Sequence, residues 1–140
     1  MDKNDVLYSM KEACNMTGLT YDTLKFYCNE GLVPNVKRNN SNYRVFDDND
    51  INWIKNLSCL KNCGMSISEM KEYIDLCLLG ESSISERKLI LDGKLSELEI
   101  KKQEIQDSID FVIKKQKFYD DVLSGETEYF SYLIKTGSDD

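Results

Sequence analysis

From Leu91 to Leu123 the apolar residues recur alternately at four and three positions. Leu91, Leu95, Leu98, Ile105, Ile109, Val112, Tyr119 and Leu123 form the run, with Lys102 and Gln116 filling the two polar steps. Such a heptad seam belongs to one long helix, opened by a capping box at Ser83 and Glu86, and a single helix has no means of burying the stripe alone. The alternative is a helix lying on its own domain. About forty residues of helix on a chain of 140 leave little domain to cover it, so the seam predicts a homodimer, with Lys102 and Gln116 favouring one register.

The first half reads as short capped helices. Ser9 with Glu12 three residues on is a capping box, so a helix starts there and breaks at Gly18. Thr20 can cap a second helix that closes at Gly31, giving two short helices around a glycine-containing turn. On this second helix Leu24, Tyr27 and Cys28 share one face, and Asp22, Lys25, Phe26 and Asn29 share the other, so Phe26 points outward beside a lysine. Val36-Lys37-Arg38 and Tyr43-Arg44-Val45-Phe46 flank the turn-forming run Asn39-Asn40-Ser41-Asn42 and predict a hairpin with a basic tip. A helix-turn-helix followed by a basic wing is an arrangement that puts its second helix into the major groove of DNA. The residues expected to touch DNA are Thr20, Tyr21, Thr23, Lys25, Phe26, Lys37, Arg38, Tyr43 and Arg44. Two further helices follow. Asp47 or Asp48 caps one running through Ile51, Ile54 and Leu57 to Gly64, and Ser66 with Glu69 caps another running through Met70 and Ile74 to Gly80.

These residues resemble the MerR family of bacterial transcription regulators. The likeness is carried by Tyr8-Ser9-Met10, Thr17-Gly18-Leu19-Thr20, Thr23-Leu24-Lys25-Phe26-Tyr27, Glu30-Gly31-Leu32 and Asn42-Tyr43-Arg44. It continues through Asp50-Ile51-Asn52-Trp53-Ile54 and Gly64-Met65-Ser66-Ile67-Ser68-Glu69-Met70, about the first eighty residues. Two departures stand out: Lys25 replaces the usual arginine, which weakens planar bidentate contacts, and Asn42 replaces the usual glycine, a change that a left-handed turn tolerates. The resemblance implies a mainly α fold: a winged helix-turn-helix domain over 1–80, an antiparallel coiled-coil dimerisation helix over 81–123 and a short tail over 124–140. It also implies a homodimer that binds a pseudo-palindromic spacer in double-stranded promoter DNA, distorts it when an effector acts, and so affects RNA polymerase indirectly.

Charge needs reconciling with that reading. The formal net charge is −7, whereas a DNA footprint should be basic. The acid lies mostly downstream: between Val6 and Phe46 Lys11, Lys25, Lys37, Arg38 and Arg44 outnumber Glu12, Asp22 and Glu30. Few phosphates are neutralised per subunit, so nonspecific binding should be weak and salt-sensitive. Without histidine, a phosphate loop or a nucleophile–base pair, the chain offers no recognisable catalytic groups and is not expected to be an enzyme. The charged start Met1-Asp2-Lys3-Asn4-Asp5 and the lack of a long apolar run argue against a signal peptide or a membrane span and predict a cytoplasmic protein.

The five cysteines, Cys14, Cys28, Cys59, Cys63 and Cys77, suit reduced thiols rather than a disulfide framework. A metal site would rest on Cys59 and Cys63 with carboxylates, and an iron–sulfur cluster would lack its four ligands, so no metal or cofactor is expected. Cys59 falls with Asn52, Lys55, Asn56 and Cys63 off its helix's apolar stripe, and Lys55 one turn earlier favours a thiolate. The segment from Asn52 to Gly64 is similar to a branch of the family that responds to aldehydes and other electrophiles through a single cysteine. That similarity makes Cys59 the effector-sensing candidate, against the alternative of an inert packed thiol. Other readings are a metal- or drug-responsive regulator of the same family, and a coiled-coil interaction module that does not bind DNA. In the tail, Tyr129, Phe130, Tyr132, Leu133 and Ile134 either dock near Cys59 of either subunit or fray.

Overall fold

A computed structural model describes residues 6–135. The elements run α1 (Met10–Thr17), α2 (Tyr21–Asn29), β1 (Lys37–Arg38), β2 (Arg44–Val45), α3 (Asp48–Asn62), α4 (Ile67–Leu78), a 3-10 turn (Gly80–Ser83) and α5 (Ile84–Leu123). Their starts follow from local chemistry. Ser9 Oγ accepts from the Glu12 amide while Glu12 accepts from the Ser9 amide, and the same reciprocal box forms at Ser66 and Glu69. At α3 the cap is Asp47, because Asp50 three residues on returns the bond. The ends are set by Gly18, at φ +76°, and Gly31, at φ +77°, conformations that other residues adopt only with strain.

Four helices and the wing enclose one core. Leu24 and Tyr27 of α2 meet Ala13 of α1, Ile51, Ile54 and Leu57 of α3, and Met70 and Ile74 of α4, with Leu32, Val33 and Phe46 closing it from the loops. Each fully buried large side chain here contributes roughly 1.5–3 kcal/mol of hydrophobic stabilisation. Phe46 does more than fill space. Its amide and carbonyl bond to the Tyr8 carbonyl and amide at 2.9 and 2.7 Å, so the entry to α1 is stitched to the end of the wing. The wing itself is an antiparallel ribbon pairing Lys37 with Val45 and Arg38 with Arg44. Asn42 sits at φ +65°, the left-handed conformation the turn requires, and Asn39 Oδ1 accepts the amides of Ser41 and Tyr43 at 3.0 Å.

The start of α5 departs from the expected capping box. Ser83 is buried, and its hydroxyl donates to the Leu76 and Gly80 carbonyls and accepts from Arg87 Nε at 3.0 Å, so it is not available to the Glu86 amide. The preceding 3-10 turn leads the chain straight into the helix, and Arg87 Nη2 closes the junction on the Gly80 carbonyl at 2.8 Å. Contacts divide the chain within α5, between Lys94 and Leu95. One unit runs to Lys94 and the other begins at Leu95. The reason is packing: Ile90 lies against the core, and Lys94, almost wholly buried, pairs with Glu69 at 2.9 Å. In the second unit α5 continues to Leu123, with Gly125 at φ +81° just beyond it, and the tail's Tyr129 stacks on Phe118 at 6.3 Å between ring centres. Among the described residues no helix is long and apolar enough to cross a membrane.

The Lys94 ammonium, helped by the Ser66 amide, holds the Glu69 carboxyl at about 2 against an ordinary 4.5. A depressed carboxylate contributes stability that is present above pH 4.5 and lost as pH falls through 2. Glu69→Gln, which keeps the capping geometry, is therefore expected to flatten the fall in melting temperature between those two pH values. Circular-dichroism melts across that range check it.

Candidate nucleic-acid interface

The outer face of α2 is assembled from its cap outward. Thr20 Oγ1 accepts from the Thr23 amide at 3.2 Å and donates to Thr23 Oγ1 at 2.9 Å, so the two threonines lock the N-terminal turn and present one shared hydroxyl cluster. Beyond it Tyr21, Lys25 and Asn29 are exposed, and so is Phe26, which keeps 45 % of its surface in solvent although it touches the Tyr27 ring. Lys25 makes no hydrogen bond or ion pair among the described residues, which leaves its ammonium available to an anion.

The wing's cations are less alike than their spacing suggests. Lys37 Nζ lies 2.9 Å from Asp47 Oδ2 and 3.1 Å from Asp50 Oδ2, and also donates to the Asn35 carbonyl. The hydrogen bond to Asp47 pushes the Lys37 ammonium up, and the Asp50 amide followed by Lys37 holds the Asp47 carboxyl down. Lys37 is thus the clamp that fastens the wing to the N-terminus of α3 and neutralises the nearly buried Asp50. Arg38 donates to the Asn42 carbonyl at 2.8 Å and braces the turn. Arg44 donates through Nη2 to Asn29 Oδ1 at 2.6 Å, which ties the wing to α2. Tyr43, at the turn, is 70 % exposed. The sequence placed Asn29 on the outer face of α2 but gave no sign of this partnership, because fifteen residues separate the pair.

Of the cysteines, Cys59 is the exposed one among the five. Lys55 one turn before it is exposed, and Cys63 one turn after it, half-buried at the end of α3, donates its amide to the Cys59 carbonyl at 3.0 Å. Burial pushes the Cys14 and Cys28 thiols up, consistent with packing roles, and for Cys28 it outweighs the nearby Arg44 and Arg38. Cys77 receives the Arg87 guanidinium at 3.9 Å. Among the described residues no three histidine, cysteine or acidic side chains gather as a metal site. The seam residues Leu91, Leu95, Ile105, Ile109, Val112, Tyr119 and Leu123 are all exposed on α5, Ile105 to 61 %, and Leu98 is half-exposed.

The sequence pattern of the MerR HTH family regulatory protein matches residues 8–77. An uncharacterized HTH-type transcriptional regulator of Haemophilus influenzae is 33 % identical over 112 residues, 80 % of this chain and 83 % of that protein. The HTH-type transcriptional regulator AdhR of Bacillus subtilis is 39 % identical over 83 residues, 59 % of each chain. Among solved structures, HiNmlR, a MerR family regulator lacking the sensor domain and bound to promoter DNA, superposes with a TM-score of 0.74 at 31 % identity, covering 85 % of this chain and 94 % of that one. The helix-turn-helix, the wing and the long helix after them are thus those of a known group of regulators, none of them enzymes, and the chain belongs to the MerR family of DNA-binding transcription regulators.

Proposed function

We propose that the chain acts as a homodimer on a pseudo-palindromic promoter spacer and that a reactive electrophile, taken up by Cys59, switches how it distorts that DNA. The observation that carries the DNA reading is the Arg44–Asn29 hydrogen bond. It makes α2 and the wing one unit, so that Tyr21, Lys25 and Phe26 approach DNA with the wing already positioned, and little ordering entropy is lost on binding. Thr20 and Thr23 offer hydroxyls to a phosphate, Lys25 reads a base edge or a phosphate, and Arg38, Tyr43 and the unspent donors of Arg44 follow the backbone. The DNA-bound relative of similar length supports the same use of this half of the chain.

The effector reading rests on Cys59. Its exposure on α3 suits a thiol that meets solutes better than one that only packs. Addition to an aldehyde forms the S–C bond as the carbonyl electron pair moves to oxygen, which takes up the proton the thiol released. The added group then lies on the face of α3 where a partner's long helix is expected, and a change of 1–3 kcal/mol between two DNA-bound states is enough to switch transcription. The open seam on α5 supports the dimer, since Leu95, Ile105, Ile109 and Val112 are exposed among the described residues and a partner helix would bury them.

Lys25→Ala and Arg44→Ala are each expected to weaken operator binding by about 5- to 100-fold and to lower the salt slope by about one for every phosphate left without its cation. Lys37→Ala instead lowers the melting temperature, because it strands Asp50, while leaving the salt slope near wild type; fluorescence anisotropy at several salt concentrations separates the two behaviours. Ile109→Asp places an unpaired charge in the seam and splits the dimer, as light scattering at micromolar concentration would record. Cys59→Ser keeps operator affinity but abolishes induction by formaldehyde or methylglyoxal in a promoter-reporter strain, whereas Cys63→Ser has a smaller effect. A normal response of the Cys59→Ser strain would move the effector elsewhere.

A further inference from the structure

The first turns of α5 present two different faces. Leu91 and Leu95 belong to the exposed seam, whereas Arg87, Ile90 and Lys94, at steps of three and four, lie on the face turned toward α4 and the core. Arg87 closes the junction with the 3-10 turn, Ile90 packs on the core, and Lys94 keeps only 9 % of its surface in solvent. A lysine is seldom buried this far without a fixed partner, because an unpaired charge is costly to keep out of water. Lys94 is therefore bound to follow Glu69, and Glu69 to follow Lys94.

Both oxygens of Glu69 are engaged. Oε2 takes the Lys94 ammonium at 2.9 Å and Oε1 takes the Ser66 amide at 3.0 Å, while Ser66 Oγ accepts the Glu69 amide at 3.1 Å, so one carboxylate joins α5 to the cap of α4. The next residues carry the connection onward. Met70, 1 % exposed, belongs to the core with Leu24 and Tyr27 of α2. Lys71, two residues after Glu69 and so nearly opposite it on the helix, pairs at 2.9 Å with Glu30, the C-cap of α2. Ser66 also lines one cleft with Thr23 and Phe26 of α2. The first turns of α4 are thus tied to α5 on one side and to α2 on the other. The two ties are unequal: Lys71 and Glu30 both lie in solvent, where a pair is weak, whereas the Lys94 side chain keeps 11 % of its surface exposed and is screened much less.

We infer that Lys94 is a positioning residue for DNA binding: acting through Glu69, it fixes the N-terminal turn of α4, and α4 in turn holds α2 in the orientation that meets DNA. The inference rests on the reading of α2 as the DNA-facing helix. Lys94 adjoins Leu95 of the seam, so a rotation of α5 about its own axis displaces the Glu69 carboxylate and with it the cap of α4. The start of the long helix thereby bears on the DNA-binding surface through a residue buried inside the unit that carries that surface.

The test uses the full-length protein and a duplex selected from a random pool by the wild type, at a concentration where light scattering gives every variant the wild-type assembly state. Lys94→Met, which fills similar space without charge, is expected to lower affinity about fivefold or more well below its melting transition with helicity unchanged, and Lys94→Arg to restore most of the loss. Glu69→Gln, which keeps the cap, is expected to match Lys94→Met, and the double variant to be no worse than either, as for two residues acting through one contact. Glu69 is partly exposed and tolerates the change, so this arm decides the matter even where Lys94→Met does not fold. Lys25→Ala in the same assay separates the failures. Wild-type binding by Lys25→Ala overturns the reading of α2 and this inference together. If Lys25→Ala loses affinity while Lys94→Met and Glu69→Gln bind as wild type, or their losses multiply in the double variant, or Lys94→Arg gives no rescue, the positioning role is overturned and the reading of α2 stands.

Discussion

Phe46 is the residue on which the N-terminal unit turns. Its ring is wholly buried among the helices, and its backbone bonds in both directions to Tyr8, so one position fixes the start of α1, the return strand of the wing and the approach to α3. Removing such a ring costs about 3–5 kcal/mol, a large part of what holds a small domain folded. The surface geometry depends on it. Lys37 and Arg44, the two cations that orient the wing, lie on strands that Phe46 anchors, and Asp47, which caps α3 and receives Lys37, is the next residue in the chain.

What the sequence made legible was what is local. The boxes at Ser9 and Ser66 involve partners three residues apart and an apolar stripe behind them, and both formed as read. The left-handed Asn42 was foreseeable because few residues other than glycine tolerate that conformation. Asp47 and Asp48 were equivalent as caps until the reciprocal bond of Asp50 decided between them. Ser83 and Glu86 had the same spacing as the true boxes and failed, because the serine hydroxyl was claimed by carbonyls of the preceding turn and by Arg87.

The residues of the candidate interface could be named from the sequence, but the partner that each one bonds could not. Lys37, Arg38 and Arg44 look interchangeable in the sequence, yet one clamps two aspartates, one braces a turn and one reaches α2. These partnerships join residues that the chain brings together only on folding, and no periodicity encodes them. Lys94 is a parallel case. Nothing in its spacing marks it as a buried partner of Glu69, and with Ile90 it draws the start of a helix that reads as a separate arm into the first unit.

The open stripe on α5 has a consequence for how this protein persists in a cell. A helix beyond residue 95 whose apolar side chains lie in water has little besides intrinsic propensity to keep it formed, and propensity alone leaves isolated helices marginal. In the proposed homodimer its folded fraction would track the supply of partner chains, as for any structure completed by association. Below the concentration at which such a dimer forms, the arm would be open to proteolysis as a frayed segment; above it, the arm would be protected. In the proposed homodimer the abundance of the regulator would thus set how long its arm survives.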